Sequence, residues 1–424
     1  MRLHDTLTGD LVELPPPPET IGLYVCGPTV YQRAHIGNAR PFVVFSWLAT
    51  WLRLRGYDVR FVHNITDVND KIYEAAPNHS AERALEATRW YLEDTADFGL
   101  GMPDALPLAT ETIPEIIAMI GQLIGSAHAY VAEGDVYFRV ARFDGYGVLS
   151  GQRPDQVEEQ EPNPAKEDPR DFALWKATKE GEDTSWVAPW GEGRPGWHIE
   201  CSAMAARELG PEFWIHGGGL DLVFPHHENE RAQSLSVGHP FARIWMHNGM
   251  LRFTGKKMSK SLGNVATIRE VLDEWGAETA LLFFMTAHWR KPIDFSDETM
   301  RAAAAQTETL RNALRGETTS RGDWEAFVAT LEDDFNTPAA LAILHEWGRS
   351  GALDELRRGL DVFGLGSLAA RVDAPAEVVE LAAARLAARI AGDFGEADRL
   401  REEIADRGWA VRDVGAGYEL VPRS

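Results

Sequence analysis

The sequence contains very little cysteine: only Cys26 and Cys201 among 424 residues. Two distant cysteines exclude a disulfide scaffold, a local zinc knuckle and an iron–sulfur cluster held by four thiolates. There is no run of 18 apolar residues, so no membrane-spanning helix is expected. The N-terminus has no basic segment followed by an apolar one, as a signal peptide would have. We therefore expect a cytoplasmic enzyme or large binding protein with two to four domains.

Basic residues are also scarce. Lysine and arginine total 42 against 65 acidic residues, giving a formal net charge of −23. This excess argues against nucleic-acid binding through bulk charge, but it leaves room for a local basic site. Lysine is the rarer base, and Lys256, Lys257 and Lys260 lie within five residues of one another. A solvated surface would spread its lysines, so this cluster indicates a function.

Apolar and polar patterning predicts an α/β fold. A short apolar segment, an amphipathic helix ended by Gly56 and a second apolar segment form a right-handed βαβ unit with a parallel sheet. Ligands of such sheets bind at the carboxyl ends of the strands, where Cys26, His35 and Thr66 fall. The expected strands are 21–25, 59–62, 214–216 and 244–246, and the expected helix is 37–55.

The remainder of the chain changes character several times. Residues 141–195 are rich in Gly, Pro and charge, which is typical of an inserted subdomain with exposed loops. The stretches 81–128, 299–368 and 376–405 have helical periodicity, and the second of them predicts a bundle. Strands are expected within 130–140, and 409–411 and 418–421 are expected to pair as a hairpin.

Residues 34–38 (AHIGN) stand where a strand ends and a helix begins. A helix N-terminus binds anions through its free N–H groups and its dipole. His35 adds a donor, Gly37 lets a nucleotide approach the backbone, and Asn38 can bond a phosphate or sugar. By itself this short motif is more typical of a histidine that caps an ordinary turn.

Residues 257–264 (KMSKSLGN) combine two lysines three positions apart with serines and a glycine. Lys257 and Lys260 would neutralise the charge that develops on a leaving pyrophosphate. The alternative is a solvated surface loop, which the scarcity of lysine elsewhere disfavours.

A metal site is the third candidate. His226 and Glu230 are four residues apart, which places them on one face if a helix begins near Pro225. With Cys26 and Cys201 they make a plausible zinc set of two thiolates, one imidazole and one carboxylate. The alternative is that the cysteines are buried as small apolar side chains and that His227 only packs nearby.

Residues 216–221 (HGGGLD) follow an expected strand. Gly217 and Gly218 remove side chains where a flat ligand can lie on the backbone, and Asp221 can bind a ribose hydroxyl or an amino group. The alternative is a flexible loop.

Taken together, these motifs resemble the class I aminoacyl-tRNA synthetases, and specifically the cysteinyl-tRNA synthetases. Residues 35–38 resemble the HIGH signature, and residues 257–261 are a full KMSKS. The resemblance covers most of the chain, and the other segments that carry it are 23–31, 64–67, 193–204 (GRPGWHIECSAM), 216–230, 333–338 (DDFNTP) and 385–411.

The resemblance implies an interrupted Rossmann-type catalytic domain, a helical bundle and a small anticodon-binding module. The expected boundaries are 1–112 for the first half of the catalytic domain, 113–193 for the connective insertion, 194–250 for the second half, 251–302 for the stem-contact segment with KMSKS, 303–370 for the bundle and 371–424 for the C-terminal module.

The resemblance also implies a reaction: activation of L-cysteine by ATP, with Mg²⁺, and transfer to the tRNA for cysteine by a monomer without membrane attachment. It implies one Zn²⁺ per subunit, held by Cys26, Cys201, His226 and Glu230. The implied cysteine pocket is Thr66, Trp197 and His216. The implied catalytic residues are His35, Asn38, Lys257 and Lys260, and the ATP site adds Gly37, Gly217, Gly218 and Asp221.

The sequence departs from the family pattern in places. Asn38 replaces the second histidine of the HIGH signature, Asn69 stands where an acid is common, and Leu108 stands where an arginine is common. The chain is also shorter than usual around residues 345–375.

Three alternatives share parts of the pattern. A related ligase that joins cysteine to an amino-sugar in mycothiol synthesis would keep the zinc and nucleotide motifs but lose the C-terminal module, which residues 393–399 and 408–409 resemble here. An inactive RNA-binding relative would not keep an intact KMSKS. A small nucleotidylyltransferase would need neither the zinc set nor the C-terminal helices.

Overall fold

The computed structural model describes residues 1–153, 162–253, 266–370, 374–414 and 417–422. The chain divides into two compact units, residues 1–368 and residues 369–424. Within the described residues, no helix has the length and apolar character needed to cross a membrane.

The larger unit begins with two short antiparallel strands, which are followed by a βαβ arrangement, helices and an inserted sheet. Its first elements are β1 (Arg2–His4), β2 (Leu11–Glu13), β3 (Thr20–Val25), α1 (Ile36–Leu54), β4 (Asp58–His63), α2 (Asp70–Ala75), α3 (Ser80–Ala96) and α4 (Ile113–Gly125). The insertion contains β5 (Ala129–Ala132), β6 (Asp135–Phe138), β7 (Phe172–Ala177), β8 (Trp186–Ala188) and β9 (Gly191–Pro195). The chain then continues with α5 (Trp197–Leu209), β10 (Glu212–Gly219), α6 (Glu228–Ser236), β11 (Phe241–Asn248) and β12 (Leu251–Phe253).

A four-stranded sheet of order β11-β10-β3-β4 forms the centre of this unit. All three neighbouring pairs are parallel, with Ile215 beside both Leu23 and Ile244. α1 connects β3 to β4 and is buried along most of its length, so its apolar residues face both the sheet and the helices behind it. The expected α/β class with a Rossmann-type parallel sheet is confirmed, and the expected strands each overlap an observed one.

The insertion forms a separate five-stranded antiparallel sheet of order β5-β6-β7-β9-β8. α4 packs on it through Ile116, Ile120 and Leu123, which are buried with Trp175 of β7. After β9 the chain returns to the parallel sheet, where α5 packs against β3, β4 and β10. This connection places Trp197 and Cys201 near the site described below.

Helices complete the larger unit. They are α7 (Ile268–Trp275), α8 (Ala277–Met285), α9 (Asp297–Ala313), α10 (Trp324–Glu332), α11 (Thr337–Ser350) and α12 (Leu353–Val362), with β13 (Ile293–Phe295) pairing with β12. The bundle shares one core with α1, where Trp47 donates a hydrogen bond to the Phe363 carbonyl (2.9 Å). Gly351 ends α11 in the left-handed conformation at φ 81°, which favours glycine.

The smaller unit consists of α13 (Ala376–Ile390), α14 (Phe394–Asp406) and the antiparallel hairpin of β14 (Trp409–Val414) and β15 (Gly417–Pro422). Val378, Ile404 and Trp409 form its small core. Arg385 donates two hydrogen bonds to Asp413, and this pairing lowers the pKa of Asp413 to about 2. The expected start of a module at residue 371 stays a prediction.

Candidate active site and metal centre

The site lies at the carboxyl edge of the parallel sheet. Cys26 follows β3, Thr66 follows β4, and β10 and β11 end at Gly219 and Asn248. Gly27 makes this edge compact, since a Cβ atom at that position would lie 1.7 Å from the Asn64 carbonyl oxygen. A cleft of about 420 Å³ opens here, lined among others by Cys26, His35, Gly37, Asn38, Trp197 and Asp221.

At the floor of this region the four predicted metal ligands come together. Cys26, Cys201, His226 and Glu230 are all buried, and one ligand atom from each lies within 4.8 Å of the others. The Glu230 Oε1 atom is 3.5 Å from the Cys26 Sγ atom and 3.1 Å from the His226 Nε2 atom. His226 and Glu230 share a face because α6 begins at Glu228, directly after the turn that carries His226.

The chemistry of this cluster fits a cation. Burial raises the pKa of the Cys26 thiol well above its ordinary value, and the neighbouring Cys201 and Glu230 raise it further. Among the described residues, no lysine or arginine pairs with Glu230, and the basic side chains near its carboxylate are all imidazoles. A divalent ion would satisfy these groups, because a metal deprotonates a coordinating thiol and compensates a buried carboxylate.

A second set of donors surrounds the same two residues. One possible ligand atom from each of Cys26, Glu230, His216 and His227 also lies within 4.8 Å of the others. The His216 Nε2 atom lies 3.1 Å from Glu230 Oε2, whereas the His227 Nε2 atom lies 3.9 Å from Glu230 Oε1. The sequence analysis placed His216 in the implied cysteine pocket and expected His227 to pack nearby or to contact a metal ligand. The structure puts both rings beside Cys26 and Glu230.

Two of the three residues predicted to bind cysteine, Trp197 and His216, lie beside the candidate metal ligands. Trp197 stacks on His226 with ring centroids 4.2 Å apart. Thr66 is buried beside Asn64, and His216 is fully buried. Trp197 and Cys26 both line the cleft.

The predicted nucleotide residues of α1 face the cleft. His35 precedes the first residue of the helix, and the Asn38 N–H donates to the His35 carbonyl (2.8 Å). A Cβ atom at Gly37 would lie 2.9 Å from the His35 ring, so glycine is required for this ring position. Burial lowers the pKa of His35 from its ordinary value, an effect that the charge of Asp221 partly offsets.

The glycines of β10 have a packing role as well. A Cβ atom at Gly217 would lie 2.4 Å from the Phe45 ring, and one at Gly218 would lie 2.9 Å from the His227 ring. Gly219 and Asp221, rather than Gly217 and Gly218, line the cleft. Lys257 and Lys260 lie outside the described residues.

Three residues near the site were missed by sequence reasoning. His198 contacts His226, and Lys71 lines the cleft with its ammonium 5.7 Å from the Tyr31 ring centroid. Glu200 is fully buried, and burial followed by the charge of Asp67 raises its pKa well above the ordinary value. His198 and Glu200 lie in the GRPGWHIECSAM segment. The unbroken resemblance of this segment to the family could have pointed to both residues.

Comparison with known sequences decides the family. The model of the class I (C) tRNA synthetase catalytic domain matches residues 14–305, that of the cysteinyl-tRNA ligase anticodon-binding domain matches residues 371–419, and the DALR domain matches residues 326–350. The chain belongs to the cysteinyl-tRNA synthetase family. The cysteine–tRNA ligase of Alkalilimnicola ehrlichii is 44% identical, with 98% of each chain covered. That of Methylobacillus flagellatus is 45% identical, with 94% of each chain covered.

Solved structures extend the likeness of this cysteinyl-tRNA synthetase family member to the fold of other class I enzymes. The methionyl-tRNA synthetase of Mycobacterium tuberculosis, in complex with methionyl-adenylate, aligns with a TM-score of 0.59 at 14% identity, covering 87% of this chain and 90% of that one. The LeuRS of Agrobacterium radiobacter K84, in a ternary complex with tRNA and LeuAMS, also aligns at 0.59, with 12% identity and coverage of 84% and 86%. At these identities the likeness concerns the fold.

Proposed function

We propose that this protein is a cysteine–tRNA ligase, which activates L-cysteine with ATP and transfers it to the tRNA for cysteine. The observation that carries the proposal is similarity to cysteine–tRNA ligases at 44% identity over 98% of the chain. The amino-sugar ligase is not favoured, because the similarity includes the anticodon-binding domain at residues 371–419. An inactive relative is disfavoured by the intact KMSKS sequence at residues 257–261.

We assign a single Zn²⁺ to Cys26, Cys201, His226 and Glu230. Two thiolates, an imidazole and a carboxylate are a ligand set that Zn²⁺ accepts. When bound, the ion offers a position for the substrate's soft thiolate, for which the harder, much less acidic hydroxyl of serine competes poorly. A discrimination of this kind makes a separate editing site unnecessary. Trp197, stacked on His226, and the buried Thr66 would form the walls of the cysteine pocket.

Activation joins the cysteine carboxylate to the nucleotide. A carboxylate oxygen attacks the α-phosphorus of ATP, and the bond from that phosphorus to the pyrophosphate oxygen breaks. His35, Asn38 and the N-terminus of α1 are placed to bind the phosphates, with Lys257 and Lys260 neutralising the leaving pyrophosphate. Asp221 lines the same cleft as His35, and we assign it to binding a ribose hydroxyl or an amino group of the substrates. Mg²⁺ is expected to accompany ATP.

Transfer then needs no nucleophile from the protein. A hydroxyl of the terminal ribose of tRNA attacks the adenylate carbonyl carbon, and AMP leaves with the bonding electrons. The catalytic contribution expected from this site is therefore orientation of reactants and electrostatic stabilisation. Because the chain carries a net charge of −23, tRNA binding should depend on local arginines and the lysine cluster and should weaken as salt rises.

A direct comparison of acceptors tests the proposal. The purified zinc-loaded protein is incubated with cysteine and ATP, and with either total tRNA or the amino-sugar acceptor. Cysteine-dependent charging of tRNA without ligation to the sugar is the expected result. Ligation to the sugar without tRNA charging would overturn the proposal. Light scattering during gel filtration tests the expected monomer in the same preparation.

A further inference from the structure

Arg40 is a buried cation for which the described residues supply no acidic partner. It lies in α1, five residues after His35, and none of its surface is exposed. Burial lowers its pKa to about 10, so the guanidinium stays charged at neutral pH. In the part of the chain that the structure describes, no carboxylate forms an ion pair with it and none contributes to its pKa. A buried charge of this kind is costly unless something compensates it.

The contacts of Arg40 are with backbone oxygens. Its Nη1 atom donates to the Gly249 carbonyl (2.5 Å) and, more weakly, to the Met250 carbonyl (3.4 Å). Its Nη2 atom donates to the His288 carbonyl (3.2 Å), while Nε has no hydrogen-bond partner. Carbonyl dipoles orient the guanidinium but carry no net charge, so the positive charge is left uncompensated.

These contacts lie directly behind the wall of the nucleotide cleft. Gly249 and Met250 line the cleft on one side, and Asn38 and Pro41, which flank Arg40 on α1, line it on another. The Gly249 backbone is held closely from behind as well, since a Cβ atom there would lie 2.2 Å from the Lys291 carbonyl oxygen. Arg40 thus joins two walls of the cleft at a point where the backbone has little freedom.

We propose that Arg40 is a positioning residue for ATP: it fixes the backbone at residues 249–250 against α1, and its uncompensated charge attracts the nucleotide's phosphates. A cation in a water-poor environment acts over a longer distance than one in solvent, so contact with the phosphates is not required. The inference rests on the proposed use of this cleft for ATP. It adds to the ATP site a residue that lies outside residues 35–38 and does not belong to the proposed zinc ligands.

Two substitutions at Arg40 and one control test the inference. Arg40→Met removes the charge and the hydrogen bonds. Arg40→Lys keeps the charge but cannot donate from two separate nitrogens to the Gly249 and His288 carbonyls. Arg243→Met is the control, because Arg243 pairs with Glu212 on the surface and its side chain is 48% exposed. The zinc-loaded full chain is assayed for the KM of ATP and of cysteine in cysteine-dependent pyrophosphate exchange, for ATP affinity by calorimetry, and for melting temperature.

We expect Arg40→Met to raise the KM and Kd of ATP about tenfold, equivalent to about 1.4 kcal/mol, with the KM of cysteine changed less than about threefold. Arg40→Lys should raise the KM and Kd of ATP about threefold, and Arg243→Met should change neither. The inference is wrong if folded Arg40→Met binds ATP as the unchanged protein does, or if the KM values of ATP and cysteine rise in parallel.

If Arg40→Met does not fold, an unchanged ATP affinity in Arg40→Lys overturns the inference. Failure of the proposed function would look different, because the unchanged protein itself would then show no cysteine-dependent exchange. In that case the calorimetric ATP affinities still decide the role of Arg40.

Discussion

His198 lies against the His226 ring, with the two Nδ1 atoms 2.9 Å apart. The Nε2 atom of His226 faces Glu230, so its Nδ1 atom is the one available to donate outward. When His226 Nε2 binds the proposed zinc, its Nδ1 atom carries the proton, and His198 accepts that hydrogen bond and fixes the orientation of the His226 ring. Phe172 packs edge-on against His198 at 5.6 Å and holds the acceptor in place.

We therefore expect His198→Leu to weaken zinc binding about tenfold, because removing an outer partner of a metal-ligating histidine typically has an effect of this size. His198→Asn is the matched control, since its side-chain oxygen can replace the Nδ1 acceptor. Zinc release to a chromogenic chelator measures both variants. Equal release rates for the two variants and the unchanged protein would show that the contact does not support the metal.

Replacing Cys201 by serine should remove zinc and the preference for cysteine over serine together. The hydroxyl is a poorer zinc ligand than a thiolate, and three remaining ligands hold the ion weakly. Metal analysis and the ratio of kcat/KM for the two amino acids measure the outcome. Ala206→Ser, on the same helix but partly exposed, is the control and should keep both properties. Full zinc content and unchanged selectivity in Cys201→Ser would rule out the assigned ligand set.

His63 should make stability depend on pH. It is buried between the Val25 carbonyl and the Tyr91 hydroxyl, and burial lowers its pKa to about 4, against an ordinary value of 6.5. The unfolded chain therefore binds the proton more tightly than the folded protein. The contribution of His63 to stability is fully present above pH 6.5 and is lost as the pH falls towards 4, by about 3 kcal/mol.

His63→Phe keeps the packing against Phe42 and Phe61 but cannot bind a proton. The free energy of unfolding, measured with urea, should fall less in this variant than in the unchanged protein between pH 6.5 and 4. Parallel pH profiles for the two proteins would contradict the prediction.

Gly27 should not tolerate alanine. Its N–H donates to the Asn64 side chain (2.9 Å), and a Cβ atom would overlap the Asn64 carbonyl oxygen. We expect Gly27→Ala to destabilise the protein by about 3 kcal/mol, the upper end of the usual range for overpacking, because the conflict is with backbone that cannot easily move. Gly121→Ala is the control: it lies within α4, where a Cβ atom meets nothing within 4 Å, and it should stabilise the protein by about 0.5–1 kcal/mol. Melting temperatures that move together would refute the steric argument.

Local sequence patterns predicted much of the fold because they act over short distances. The apolar segment before Cys26 is a strand because its residues are buried on both faces, and the helix before Gly56 ends where a glycine takes up a positive φ of 91°. The helical stretches after residue 296 follow from their periodicity. The candidate metal ligands could be predicted from the sequence in the same way, since thiol, imidazole and carboxylate groups at strand ends form a recognisable set.

The sequence by itself determined the strands of the parallel sheet, the helix between its first two strands, the helices after residue 296, the family and the chemical types at the site. It did not predict the strands β7, β8 and β9 of the insertion, where exposed loops were expected. Tertiary structure alone decided that three imidazoles, from His216, His226 and His227, surround one carboxylate. It also decided that Gly217 is required by Phe45, and that Arg40 is buried with no acid paired to it among the described residues. The physical reason is distance along the chain. Arg40 and Gly249 are 209 positions apart, and Cys26 and Glu230 are 204 positions apart. Local propensities do not predict such contacts, because only the packing of the whole unit creates them.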